Sequence, residues 1–211
     1  MIDWGMKMRH LKSYCLFIIF ALLLAGCVDE AKEESPSKTN LTIKSYSVSE
    51  KEKLLISKTG VQQIEYLKLN GTLKEEDDLQ FSVEVYENGK FKEEGIKSLG
   101  AIETNYKDSL ISFGVNDISG EEPSLKLLIG IPAGLSSMSY ANNMTGFAFT
   151  KLIGEEITLE KDKPSYLAAW LGTTKNSLHT VGEVNGELPE EVEEYELVFL
   201  YKVLWTDKEK Y

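Results

Sequence analysis

Apolar and polar residues alternate one for one along much of the chain. Leu79, Phe81, Val83 and Val85 interleave with Gln80, Ser82, Glu84 and Tyr86, the period-two pattern of a strand with one face in a core. Asn88-Gly89 follows at once, and both residue types accept positive φ, so a tight hairpin is expected there. The alternation returns at Ser109, Ile111, Phe113 and Val115, and again at Leu125, Leu127, Ile129 and Ile131, where Pro132 should end the ladder. Phe147 and Phe149 mark a further short strand. Two segments, Tyr166 to Thr174 and Glu196 to Trp205, are apolar at nearly every position and read as central strands covered on both faces. In the second, Tyr195, Leu197, Phe199, Tyr201, Val203 and Trp205 share one face. A helical period is confined to Ser49–Ser57 and to Glu190–Glu194.

Many short strands separated by turn residues, with no alternation of strand and long helix, predict an all-β, mainly antiparallel fold. An immunoglobulin-like β-sandwich or a related barrel with at most short helices satisfies the pattern. The folded part should begin near Leu41 and run as a single domain, 41–211.

Ahead of it lies a segment of another kind. Lys7, Arg9, His10 and Lys12 precede an apolar run from Tyr14 to Ala25. A bilayer-spanning helix needs roughly 20 apolar residues, and this run is shorter, so it reads as a secretory signal. Its end, Leu24-Ala25-Gly26-Cys27, resembles the lipobox of bacterial lipoproteins. The resemblance implies a signal peptide spanning 1–26, removal of that peptide, and a diacylglycerol thioether on Cys27. Residues 27–40 then form a lipidated tether, polar and interrupted by Pro36. Its thirteen residues 28–40 reach at most ~45 Å when extended. The expected location is the extracytoplasmic side of the cell membrane, held by lipid. The remainder is similar to small Gram-positive lipoproteins with immunoglobulin-like folds in general character only, a likeness that carries no functional residue across.

Charge narrows the partners. The chain carries 23 Lys and Arg against 34 Asp and Glu, a formal −11, and loss of residues 1–26 would take it to −13. Such a balance disfavours nucleic acid and anionic headgroups. The only cysteines are Cys15 and Cys27, so the expected domain folds without a disulfide.

Candidate chemistry is sparse. His179 is the only histidine after residue 26, within the turn-rich stretch NSLHTVGEVNG and without a G-x-S-x-G elbow. Lys58-Thr59-Gly60 matches the K-T-G element of penicillin-binding proteins, but the S-x-x-K that should precede it occurs only at Ser35–Lys38 in the tether. The acidic runs Glu75–Asp78, Gly120–Pro123 and Pro189–Glu196 lack the spacing of a calcium loop and read as solvated turns. One histidine with no free cysteine disfavours structural zinc, and no phosphate-binding glycine motif occurs, so no cofactor is expected. Pro132 to Gly146 reads as a long polar loop, either an inert crossover between sheets or a ligand-binding loop presenting Tyr140, Asn142 and Asn143. The function expected from these features is a non-enzymatic binding or accessory module of the cell envelope. Its partner would be a cell-wall polymer, a peptide or an envelope protein. The alternative is an envelope-directed hydrolase built around His179.

Overall fold

A computed structural model describes residues 40–98, 103–176, 178 and 181–207. The chain divides into two units, Met1–Lys38 and Thr39–Tyr211, and the second is described here. Its elements are β1 (Thr42–Ser45), α1 (Glu50–Ile56), β2 (Gln63–Thr72), β3 (Asp77–Glu87), β4 (Lys90–Ser98), β5 (Asn105–Ile118) and β6 (Ser124–Ile131). Then come β7 (Gly134–Ala141), β8 (Gly146–Lys151), β9 (Glu156–Thr158), β10 (Pro164–Thr173), a 3-10 turn at Glu190–Glu194, and β11 (Leu197–Asp207).

Two sheets form, with strand orders β7-β6-β5-β2-β1-β9 and β4-β3-β11-β10-β8. All their pairings are antiparallel. The fold is therefore an antiparallel β-sandwich with one short helix, the class that the alternation predicts.

The inner faces meet in one apolar core. Ile43, Leu67 and Leu69 from the first sheet pack with Phe81, Val83, Trp170, Phe199 and Tyr201 from the second. Aromatic rings make the centre: Tyr201 lies 5.5 Å from Phe113, and Trp170 lies 5.4 Å from Phe199, between ring centroids. The outer face of β10 and β11 is buried as well, because the segment 181–195 folds back over it. Val181, Val192 and Tyr195 cover Ala169, Leu171, Val198 and Leu200 there. This explains why both strands are apolar at nearly every position. Tyr195 precedes β11 and belongs to this outer cluster, so it does not share the face of Leu197, Phe199 and Tyr201.

Two features depart from the sequence pattern. β3 is buried on both faces rather than one, since its polar face holds a charge cluster. Glu84 accepts hydrogen bonds from the hydroxyls of Tyr86 (2.9 Å) and Tyr166 (3.1 Å), and from Lys202, which also binds Glu94. In the acidic run Glu75–Asp78, Asp77 and Asp78 are not solvated turn residues. Both are 1% exposed at the start of β3, and Asp77 pairs with Lys161.

The ends of the sandwich differ. At one pole the chain enters at Asn40, β2 crosses to β3, and β11 finishes at Asp207, paired with Asp77. Leu159 and Lys161 knit this pole together. The Leu159 amide donates to the Leu41 carbonyl, and Lys161 bridges to Trp205 in the other sheet. Gly71 is needed here, because its φ of +121° is open mainly to glycine and a side chain would run into the Asn40 carbonyl. β1 is held on both sides, by β2 and by β9. The opposite pole carries α1, the β5–β6 turn and the β3–β4 hairpin. That hairpin turns on Asn88 and Gly89, with φ values of +50° and +76°.

Candidate functional site

At this second pole the edge strands of the two sheets, β7 and β4, face each other across an open side of the sandwich. A cleft of about 630 Å³ lies between them, walled by Glu87 and Asn88, by Lys92 and Glu93 of β4, by Met138 to Ala141 of β7, and by Asn143, Met144, Glu196 and Leu197.

β4 reaches the cleft through two irregularities. Val83 pairs with Ile96 but Glu84 with Glu94, and Val85 pairs with Glu93 but Tyr86 with Phe91. Gly95 and Lys92 are thus extra residues, β-bulges that bend the strand and re-aim its side chains. Lys92 turns to Glu87 (2.6 Å) and to the Tyr140 hydroxyl (2.9 Å), with its ammonium 5.4 Å from the Tyr140 ring centroid. The Tyr140 hydroxyl donates in turn to Glu87 (2.9 Å). The Tyr140 ring meets Phe199 edge-on at 5.1 Å, so the residue is anchored in the core and only its tip is wet.

The charges are fixed by these contacts. Hydrogen bonds from Lys92 and Tyr140 hold the Glu87 carboxyl below its ordinary value. Bonds from the Thr174 amide and hydroxyl and from Thr173 do the same for Glu196. Glu87 and Tyr140 push Lys92 upward, and desolvation raises the Tyr140 phenol. All four shifts lead away from neutrality, whereas a general acid or base works best with a pKa near the operating pH. The Glu93 side chain is exposed and makes no hydrogen bond or ion pair with any described residue, although its backbone lies in the ladder opposite Val85.

The structure separates the three residues expected in the Pro132–Gly146 loop. Most of that stretch is not a loop: Gly134–Ala141 is β7, paired along its whole length with β6 across the two-residue turn Pro132-Ala133. Only residues 142–145 cross to β8 in the other sheet. Tyr140 and Asn143 line the cleft. Asn142 is buried and structural: its amide donates to Pro123, and its side-chain oxygen accepts from the Met144 amide. Glu87, Lys92, Glu93 and Glu196 escape a sequence reading because no local motif unites them. Only the β3–β11 register, which pairs Glu87 with Leu197, brings them together.

Other candidates fall elsewhere. Cys27 and His179 lie outside the described residues. Lys58-Thr59-Gly60 ends α1: the Lys58 and Thr59 amides donate to Leu55 and Ile56, and Gly60 has a φ of +79°. Among the described residues no group of His, Cys, Asp and Glu is placed to hold a metal ion, and no helix is long and apolar enough to cross a membrane. A second hollow of about 390 Å³ lies beyond the hairpin, lined by Tyr86, Leu188, Pro189, Val192 and Glu193 among others.

Compared with known proteins, the chain matches no curated protein and no solved structure. A family model, that of the YgaN domain, matches residues 42–204, from the first residue of β1 to within three residues of the end of β11. The sandwich and its cleft are thus contained in one family unit, and the chain belongs to the YgaN domain family.

Proposed function

We propose that this protein is a lipid-anchored, extracytoplasmic binding module of the cell envelope, and that its ligand site is the cleft between β4 and β7. The cleft carries the reading: a formed hollow with an aromatic tip, an amide and several carboxylates, in which Glu87, Lys92, Tyr140 and Glu196 are held away from neutral pH. Such a site is suited to holding a partner by fixed charge and shape. Its position agrees with an anchor at Cys27. The chain enters the domain at Asn40, at the pole opposite the cleft, so attachment through that end does not start from the cleft.

The test is photo-crosslinking on intact cells, with a benzophenone amino acid placed at Asn143 in the cleft or at Glu160 on the other pole. A discrete adduct from position 143 and none from 160 is expected. Equal capture from both positions, or none from either, overturns the cleft as the binding site. Fatty-acid labelling tests the anchor separately: the wild type should take up label and Cys27→Ser should not. Equal label in the two would remove the lipoprotein reading.

A further inference from the structure

We infer that the cleft takes an extended peptide bearing lysine or arginine, laid as an added strand along the free edge of β7. The inference rests on the cleft being the binding site and adds the chemistry of what binds there.

Three observations converge on it. β7 pairs with β6 on one side and with no described strand on the other, so its outer row of backbone groups is open. Exposed edges are templates for another strand and are usually blunted by charge, proline or bulges. β4, across the cleft, has such protection, with Lys90, Lys92, Glu93, Glu94 and Lys97 along it and two bulges. β7 has none: Gly-Leu-Ser-Ser-Met-Ser-Tyr-Ala contains no charge and no proline. In a chain of formal charge −11, eight uncharged residues on an edge leave that edge open to pairing.

The charge beside this edge selects the occupant. Glu87, Glu93 and Glu196 line the cleft against the single cation Lys92, which is already committed to Glu87. Glu93 has no counter-charge among the described residues. A cationic side chain on an incoming strand would supply one, while an acidic segment would be repelled. Met138 and Met144 give the cleft an adaptable apolar lining for a neighbouring aliphatic side chain. Main-chain pairing supplies affinity in such additions, and the pockets for alternate side chains supply selectivity.

The probe is the dye-labelled peptide Lys-Thr-Leu-Thr-Lys-Thr, which presents lysine, leucine and lysine on one face, titrated into the full-length protein in detergent solution. Fluorescence anisotropy should show saturable binding, and amide resonances of β7 should move while those of β8 and β9 stay. The same peptide methylated at alternate backbone nitrogens keeps its charge but cannot pair, and should not bind. Glu-Thr-Leu-Thr-Glu-Thr should not bind either. Glu93→Gln, an exposed change, should weaken the lysine peptide about threefold to fivefold, as for an exposed ion pair. Binding that survives methylation overturns strand addition, and equal binding of the acidic peptide overturns the charge selection. Absence of binding, or movement of the β7 resonances on self-association alone, overturns the inference as a whole. If position 143 still captures a partner on cells in that case, the cleft remains the site and only its ligand class is wrong.

Discussion

Glu84 and Lys202 sit where a charge is hard to keep. Their side chains are 10% and 11% exposed, on the neighbouring strands β3 and β11. Burial alone would pull the Lys202 ammonium down, but Glu84 and Glu94 together hold it above its ordinary value. Desolvation likewise works against the Glu94 carboxylate, and Lys202 and Ser82 overcome it, leaving that group below its ordinary value. Removing one partner of such a buried pair strands the other, at a cost of about 3–5 kcal/mol. Lys202→Met should therefore lower the unfolding free energy by about 3 kcal/mol in urea titrations, while Glu84→Gln combined with Lys202→Met should recover part of the loss. The pH dependence has a definite sign. A depressed carboxyl stabilises the fold above its unfolded value, and that contribution is lost as pH falls through the folded value. Lys202, being raised, contributes fully below the ordinary lysine value and loses its contribution as pH rises through the folded one. The wild type should thus hold the cluster's contribution across the neutral range and lose it at both extremes. In Lys202→Met both slopes should be reduced.

At the scale of elements, α1 is the outlier. It buries no residue, and Leu54 and Leu55 are 60% and 61% exposed, so no core contact supports it. Its start depends on a capping box, with Ser49 and Glu52 bonding reciprocally and the Tyr46 hydroxyl donating to Glu52. Those bonds, Ser49's first, bring the Glu52 carboxyl down to about 2. Ser49→Ala should raise hydrogen exchange across 52–57, with a local loss of about 1 kcal/mol, and leave the global melting temperature in place, because this opening is local. The short helix, the hairpin and the alternating strands were legible because their signals are local: the helical period of Ser49–Ser57, Asn88 with Gly89, Phe81 with Val83. β7 was not. Its half-buried positions are Ser136, Met138 and Tyr140 against an exposed Leu135, so polarity does not follow burial. Its turn, Pro132-Ala133, also lacks the usual hairpin residues. Asp77 and Asp78 misled for a similar reason: Asp77 is paired with Lys161, 84 positions along the chain, and Asp78 lies opposite Thr206 in the β3–β11 register. Of the candidate site, Tyr140 and Asn143 could be named from composition, but the carboxylates around them depend on a register no local pattern encodes.

For the molecule as a whole, stability comes from one core shared by two sheets and a smaller one beneath 181–195. No cysteine lies in 39–211. A fragment spanning Thr39–Tyr211 should unfold in a single transition that reductant does not shift, with a strand-dominated far-ultraviolet spectrum. Separate transitions for the two sheets would show that the Leu159–Lys161 staple does not couple them.

The placement of β1 has a mechanical meaning. If the chain is tethered through Asn40 while a partner grips the far pole, tension runs along the strands rather than across them. A pull on β1 then loads its bonds to β2 and to β9 all at once, in shear, instead of opening them one by one as a zipper. Four residues clamped from both sides make a strong first link under such a load.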